Sequence, residues 1–365
     1  MYDPMWPAWI HAALFVAAAG VVAAVGVRLT SLAARIAQRS GLGQALTGAL
    51  FLGASTSLSG IVTSVTAAVQ GHPELAAGNA VGGIAAQTVF LAIADLVYRR
   101  ANLEHAAASD ENMLQGALLV ALLSGTLLAA RAPEVTIAGV HPISLLIPVA
   151  YVFGQRLILT ARGQMMWQPR VTEHTQVDGG DANPDIDAAG AASPSGSTGT
   201  APVSGATSSL PALIGRFAVA SIMIAVAGYV LARAGVAIAS ATGLSETVVG
   251  GLFTAIATSF PELVTAIAAV RIGALTMAVS DIMGGNAFDV IFLAVADGVF
   301  RHGSLYHAMG PRPAFLITLA ILLTAILLLG LIRREKHGFA NIGFESVLLI
   351  LVYFGGFLAI VLGMG

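Results

Sequence analysis

Two carboxylates lie inside otherwise apolar stretches of this chain: Glu262 in Ala257-Thr258-Ser259-Phe260-Pro261-Glu262, and Asp289 in Gly284-Gly285-Asn286-Ala287-Phe288-Asp289. An ionisable side chain in such a setting costs about 3 kcal/mol on membrane-insertion scales, so it faces a bundle interior or a wet cavity. Pro261 removes a helical N–H donor and frees a carbonyl beside Glu262. Thr254, Thr258 and Glu262 recur every four residues, which places them on one helix face with Ser259 adjacent. On the next segment Gly285 and Asp289 share a face, and Gly284-Gly285 lets the backbone of another helix approach. Carboxylate, hydroxyl, amide and carbonyl oxygens are the hard ligands that calcium or sodium takes. Two neighbouring carboxylates in a poorly hydrated cavity also titrate as a coupled pair, which brings proton exchange within the same chemistry.

The rest of the chain must hold these groups in a membrane. It is 57% hydrophobic and 10% charged, where a water-soluble chain carries about 25% charged residues. Ten apolar segments are long enough to span, at roughly 8 to 27, 43 to 69, 74 to 98, 112 to 130, 141 to 160, 211 to 235, 246 to 270, 274 to 300, 312 to 332 and 342 to 362. The first follows a stretch without a basic region and reads as a retained helix, not a cleaved leader. Residues 163 to 209 are rich in Gly, Ser, Thr, Asp and Pro and read as a flexible linker between a first unit, 1 to 162, and a second, 210 to 365. The chain has no cysteine, which excludes disulfides and thiolate metal sites, and its net charge of −2 argues against nucleic acid as a partner.

The two units repeat each other. Gly41 to Arg100 recurs without a gap 202 residues later, as Thr56/Thr258, Ser57/Ser259, Thr63/Thr265, Gly82/Gly284, Phe90/Phe292, Asp95/Asp297 and Arg99/Arg301. Five spans per unit make the second enter from the opposite face, so the expected fold is an all-α membrane protein of about ten transmembrane helices in two inverted five-helix repeats. Thirteen basic residues fall on one side and four on the other, which predicts a cytoplasmic linker and extracytoplasmic termini. Asp95 and Asp297 sit at span ends beside Arg99 and Arg301, and surface pairing is expected of them. Pro73-Glu74 imitates the Pro261-Glu262 dipeptide but falls in a connecting loop. The run Asp181-x-Asn183-x-Asp185-x-Asp187 lacks the glycine and terminal glutamate of a calcium loop.

Gly251 to Val264 followed by Ala278 to Asp289 resembles the second signature repeat of the calcium/cation antiporter superfamily, which includes the sodium/calcium exchangers. Leu75 to Gly83 resembles the matching part of the first repeat. The resemblance implies a secondary-active cation antiporter of the cell (inner) membrane, neither an enzyme nor dependent on a cofactor. Its partners would be inorganic cations (calcium, sodium or protons) and membrane lipid. It also implies that Thr258, Ser259, Glu262 and Asp289 from repeat two, with Thr56, Ser57 and Gln87 from repeat one, line the transport site. Gln87 follows Gly60 by the interval that separates Asp289 from Glu262. Five positions depart from the family pattern. Gly60 stands for the first-repeat glutamate, Ser59 for its proline and Ala85 for its asparagine, and Gly83 and Gly285 replace serines. The loss of one glutamate leaves the transported ion open, and a transport-inactive, cation-binding regulatory protein is the alternative.

Overall fold

The computed structural model describes residues 6–40, 57–98, 102–107, 109–161, 209–271, 275–334 and 343–363. The expected linker, Thr56, Arg99 and the Asp181 run lie outside these residues, as does the first part of the second expected span.

The described chain is helical. In the first half α1 is Ala8–Ser40, α2 Leu58–Val69, α3 Pro73–Val97, α4 Leu103–Ala106, α5 Asp110–Arg131 and α6 Pro142–Ala161. In the second, α7 is Leu210–Thr242, α8 Glu246–Thr258, α9 Phe260–Arg271, α10 Leu275–Val299, α11 Leu305–Ala308, α12 Pro311–Arg333 and α13 Phe344–Val361. Eight of these helices are long and apolar enough to cross a membrane, and α8 with α9 makes a ninth span bent by 45°. Helix boundaries at an offset of 202 coincide at Ala8/Leu210, Ser40/Thr242, Leu58/Phe260, Pro73/Leu275, Val97/Val299, Leu103/Leu305 and Pro142/Phe344. The duplication therefore runs through the whole described chain and not only through Gly41 to Arg100. The fold is two inverted five-helix repeats.

The most buried spans are α3 and α10, the two that carry the polar signatures, and both pack at the centre. Backbone contact is closest between α3 and the start of α8. A Cβ on Gly82 would strike the Gly251 carbonyl oxygen, and one on Gly250 would meet the Leu75 carbonyl oxygen at 2.6 Å. Here α8 runs through a π-helical stretch, Val249–Thr254, of the kind that marks functional sites. Close approach was expected at Gly284-Gly285. Among the described residues a Cβ there meets only side chains, those of Gln115 and Gln87, at 3.7 Å or more.

The expected span at 246 to 270 is broken at Ser259, where Pro261 withholds the N–H that would bond to Ala257. Thr254, Thr258 and Glu262 thus do not share one straight helix. Helices α1 and α7 lie against Pro261 and Ser59 in matching fashion. A Cβ on Gly26 would strike the Pro261 ring, and a Cβ on Gly228 would approach the Ser59 carbonyl oxygen to 2.9 Å. These are equivalent pairs under the 202 offset.

Asp95 and Asp297 are buried, contrary to the surface pairing expected of them, and they lock the repeats together. Asp95 Oδ1 accepts the Leu103 N–H at 2.7 Å, while Oδ2 accepts from Ser346 Oγ at 3.0 Å and the Gly343 N–H at 3.4 Å. Asp297 repeats this, with the Leu305 N–H at 2.8 Å, Ser144 Oγ at 2.7 Å and the His141 N–H at 2.8 Å. Each aspartate satisfies orphan N–H groups at the start of its own repeat's short helix and of the other repeat's last helix. The arginine four residues on suggested an i,i+4 pair, but a span end with three orphan donors competes better for the carboxylate. Glu74 is not in a loop either. It stands in the first turn of α3, where its Oε2 accepts from Thr247 Oγ1 at 2.9 Å.

Asp297→Ala strands the buried His141 and Leu305 N–H groups, while Ser144 Oγ keeps Tyr306 as a partner, and is expected to lower stability by at least about 2 kcal/mol, read as a fall in the thermal unfolding midpoint of detergent-purified protein. A matching loss in Asp95→Ala follows from the repeat.

Candidate functional site

Six of the seven expected site residues are described, and all six line one small cavity where the repeats meet: Ser57 and Gln87 from repeat one, Thr258, Ser259, Glu262 and Asp289 from repeat two. The seventh, Thr56, lies outside the described residues. Gly60, Asn79, Ala80, Gly83 and Phe292 complete the lining. The cavity is about 10 Å³, room for one water or one desolvated ion. Glu262 is 5% exposed and Asp289 2%, so neither charge is met by bulk water.

Repeat one supplies the donors and repeat two the acid. Ser57 Oγ donates to Asp289 Oδ1 at 2.7 Å, and the Gln87 amide nitrogen donates to Asp289 Oδ2 at 2.7 Å and to Ser259 Oγ at 3.1 Å. Gln87 and Asp289 are the same position in the two repeats, as are Ser57 and Ser259, so the local twofold axis passes through this cluster. A carboxylate that receives two neutral hydrogen bonds in a dry site is held but not neutralised. Among the described residues Gln87 Oε1 has no hydrogen-bond partner, which leaves a buried amide oxygen available to a cation.

The departures from the family pattern have visible consequences. A Cβ on Gly60 would lie 2.9 Å from the Phe292 ring, so an aromatic edge fills the space into which a first-repeat glutamate would extend. Ser59, at the position of Pro261, donates through Oγ to the Thr258 carbonyl oxygen at 3.0 Å and ties α2 to the end of α8. The absence of side chains at Gly83 and Gly285 leaves room for Ser259 Oγ and Gln87 Oε1, which a Cβ would approach to 3.3 and 3.7 Å.

Two polar residues were overlooked in the sequence. Asn79 donates to the Gly60 carbonyl oxygen at 3.1 Å and to Ser64 Oγ at 2.9 Å, and its own oxygen faces Thr258 Oγ1 at 3.4 Å. Its repeat-two equivalent is Asp281, a third carboxylate on α10. Asp281 accepts from Thr265 Oγ1 at 3.3 Å, and that hydroxyl also donates to the Glu262 carbonyl oxygen at 3.0 Å. The signal that reveals both is the 202 offset read at residue 79, where an amide in one copy becomes an acid in the other.

A sodium/calcium exchanger protein family model matches residues 10–154 and 212–363. The chain belongs to that family. Both matched stretches contain their unit's signature residues, and the gap between them falls on the expected linker. Among solved structures, the sodium-calcium exchanger NCX_Mj soaked with 100 mM Na+ and 10 mM Sr2+ aligns with a TM-score of 0.55 and 17% identity, over 97% of this chain and 98% of that one. The H+/Ca2+ exchanger CAX aligns with a TM-score of 0.65 and 12% identity, over 98% of this chain and 87% of that one. Among curated proteins none matches the chain in sequence. Family and fold make it a membrane antiporter and not an enzyme.

Gly60→Glu is expected to lower the unfolding midpoint without raising cation affinity, because the new side chain collides with Phe292. Gly60→Glu combined with Phe292→Ala should recover the midpoint, and thermal melts of the two variants with and without added calcium make the comparison.

Proposed function

We propose that this exchanger-family protein moves cations by alternating access through the Glu262–Asp289 site and exchanges them for protons or sodium. The observation that carries the reading is the position of these two carboxylates, buried where the repeats meet, with donors from repeat one on both oxygens of Asp289. The ionised pair holds a charge of −2, enough for one divalent or two monovalent cations. An incoming cation takes over the role of the Ser57 hydroxyl and the Gln87 amide. Rotation of the Ser57 hydroxyl then offers its lone pair in place of its hydrogen, turning of the Gln87 amide presents Oε1 in place of its nitrogen, and Thr258 and Ser259 supply further oxygens. Calcium asks for six to eight oxygens, so water and freed carbonyls complete its shell.

Without a glutamate at Gly60 the site lacks the negative charge needed to balance calcium against three sodium ions. Proton or single-sodium exchange at a coupled carboxylate pair fits this charge better. Repeats at 1 to 162 and 210 to 365 would form the two inverted units, with residues 163 to 209 as a cytoplasmic linker and the termini outside, as the excess of arginine on one side argues. A second reading is supported by the Phe292 ring that occupies the place of the missing glutamate: a protein that binds a cation without transporting it.

Flux into proteoliposomes separates the two readings. Vesicles carrying the wild-type protein should exchange calcium or sodium against an imposed proton or sodium gradient, with Glu262→Gln and Asp289→Asn each at least about tenfold slower, the loss expected when a fixed charge is removed from a site that must be neutralised. Binding by isothermal titration without flux would favour the second reading, and undiminished flux in Glu262→Gln would refute the site.

A further inference from the structure

A groove of about 350 Å³ opens between the end of α5 and the start of α6, away from the cation site. Gly125, Leu128, Ala129, Ile143 and Leu146 line it, and Arg131 and His141 stand at its membrane-surface end. Leu128 is 70% exposed and Leu146 58%, so the groove faces the hydrocarbon that surrounds the two spans. Its size falls within the range of small-ligand sites.

The duplication supplies an internal control. At the offset of 202, Gly125 becomes Leu327 and Ala129 becomes Leu331, and both leucines are buried, at 1% and 0% exposure. The repeat-two counterpart of Arg131 is Arg333, whose guanidinium carbon lies 4.9 Å from the centre of the Phe344 ring. One copy of the scaffold is therefore packed, with its arginine engaged. The other is hollow, and Arg131 has no hydrogen bond or ion pair among the described residues. Burial holds the His141 imidazole below its usual pKa, against the pull of Asp297, so at neutral pH the charge at this end comes from Arg131.

We propose that the α5–α6 groove binds an anionic phospholipid, with an acyl chain along Gly125 and Ala129 and the phosphate on Arg131. An acyl chain is the apolar ligand that the membrane supplies at this depth, and a fixed guanidinium at the headgroup level selects negative lipid. The groove lies on the α5–α6 pair, which packs on α10, the helix that carries Asp289. The inference does not require that the protein transport ions.

Native mass spectrometry of the full-length protein released from nanodiscs of equal phosphatidylglycerol and phosphatidylcholine tests it. Wild type should retain phosphatidylglycerol several-fold over phosphatidylcholine, Arg131→Gln should lose that preference, and Gly125→Leu with Ala129→Leu, which brings the two leucines of repeat two into the groove, should retain neither lipid. Equal retention in all three proteins would overturn the proposal. Loss of retention in the filled groove with an unchanged preference in Arg131→Gln would overturn the anionic headgroup. If the filled variant fails to fold, a spin label on Leu128→Cys, in a chain with no other cysteine, should be immobilised by phosphatidylglycerol, and a label indifferent to lipid type would refute the site.

Discussion

The structure depends on the cost of holding a carboxylate where water does not reach. Asp289 meets that cost through hydrogen bonds from Ser57 and Gln87, and both donors come from the other half of the chain. Neither repeat can build the site by itself. The halves must be inverted so that equivalent positions meet, and the central helices must come close enough for 2.7 Å contacts. The glycine contacts of α3 with α8, of Gly26 on α1 with Pro261 and of Gly228 on α7 with Ser59 provide that closeness. Asp95 and Asp297 hold the arrangement at its rim by capping helices across the repeat boundary.

The two copies agree in their scaffold and differ in their site residues. Helix boundaries keep the 202 offset along the described chain, and the paired aspartate caps keep even their individual hydrogen bonds. At the centre the copies differ in chemistry. Gly60 corresponds to Glu262, Gln87 to Asp289, and Asn79 to Asp281. Repeat one has become neutral and donates hydrogen bonds, while repeat two carries the negative charge. A symmetric frame thus presents an asymmetric site, as expected when folding needs both copies and charge balance limits how many carboxylates one cavity can hold.

Much of this is legible in the sequence. The offset, the carbonyl freed by Pro261, and four of the lining residues, Thr258, Ser259, Glu262 and Asp289, follow from residue type and spacing, because polar groups in apolar spans have few structural alternatives, while Ser57 and Gln87 follow from the family resemblance. The full extent of the repeat is not legible, since lipid-facing leucine, valine and alanine exchange freely and leave no identity to count. The π-helical turn at Val249–Thr254 leaves no pattern either. Asp95 and Asp297 mislead because each has an arginine four residues on. Their real partners lie eight residues away, or about 150 and 250 residues away, and only the packed fold brings them near. Asp281 and Asn79 are legible in retrospect, through comparison of the copies position by position.

The central claim, that one asymmetric cavity between the repeats holds the transported cation, is tested most directly by diffraction from crystals soaked in strontium or thallium, whose anomalous scattering locates a divalent or a monovalent ion. The account predicts a peak bounded by Glu262, Asp289, Ser259 and Gln87 that disappears in Asp289→Asn. A peak elsewhere in the membrane core, or one that persists in that variant, would contradict it.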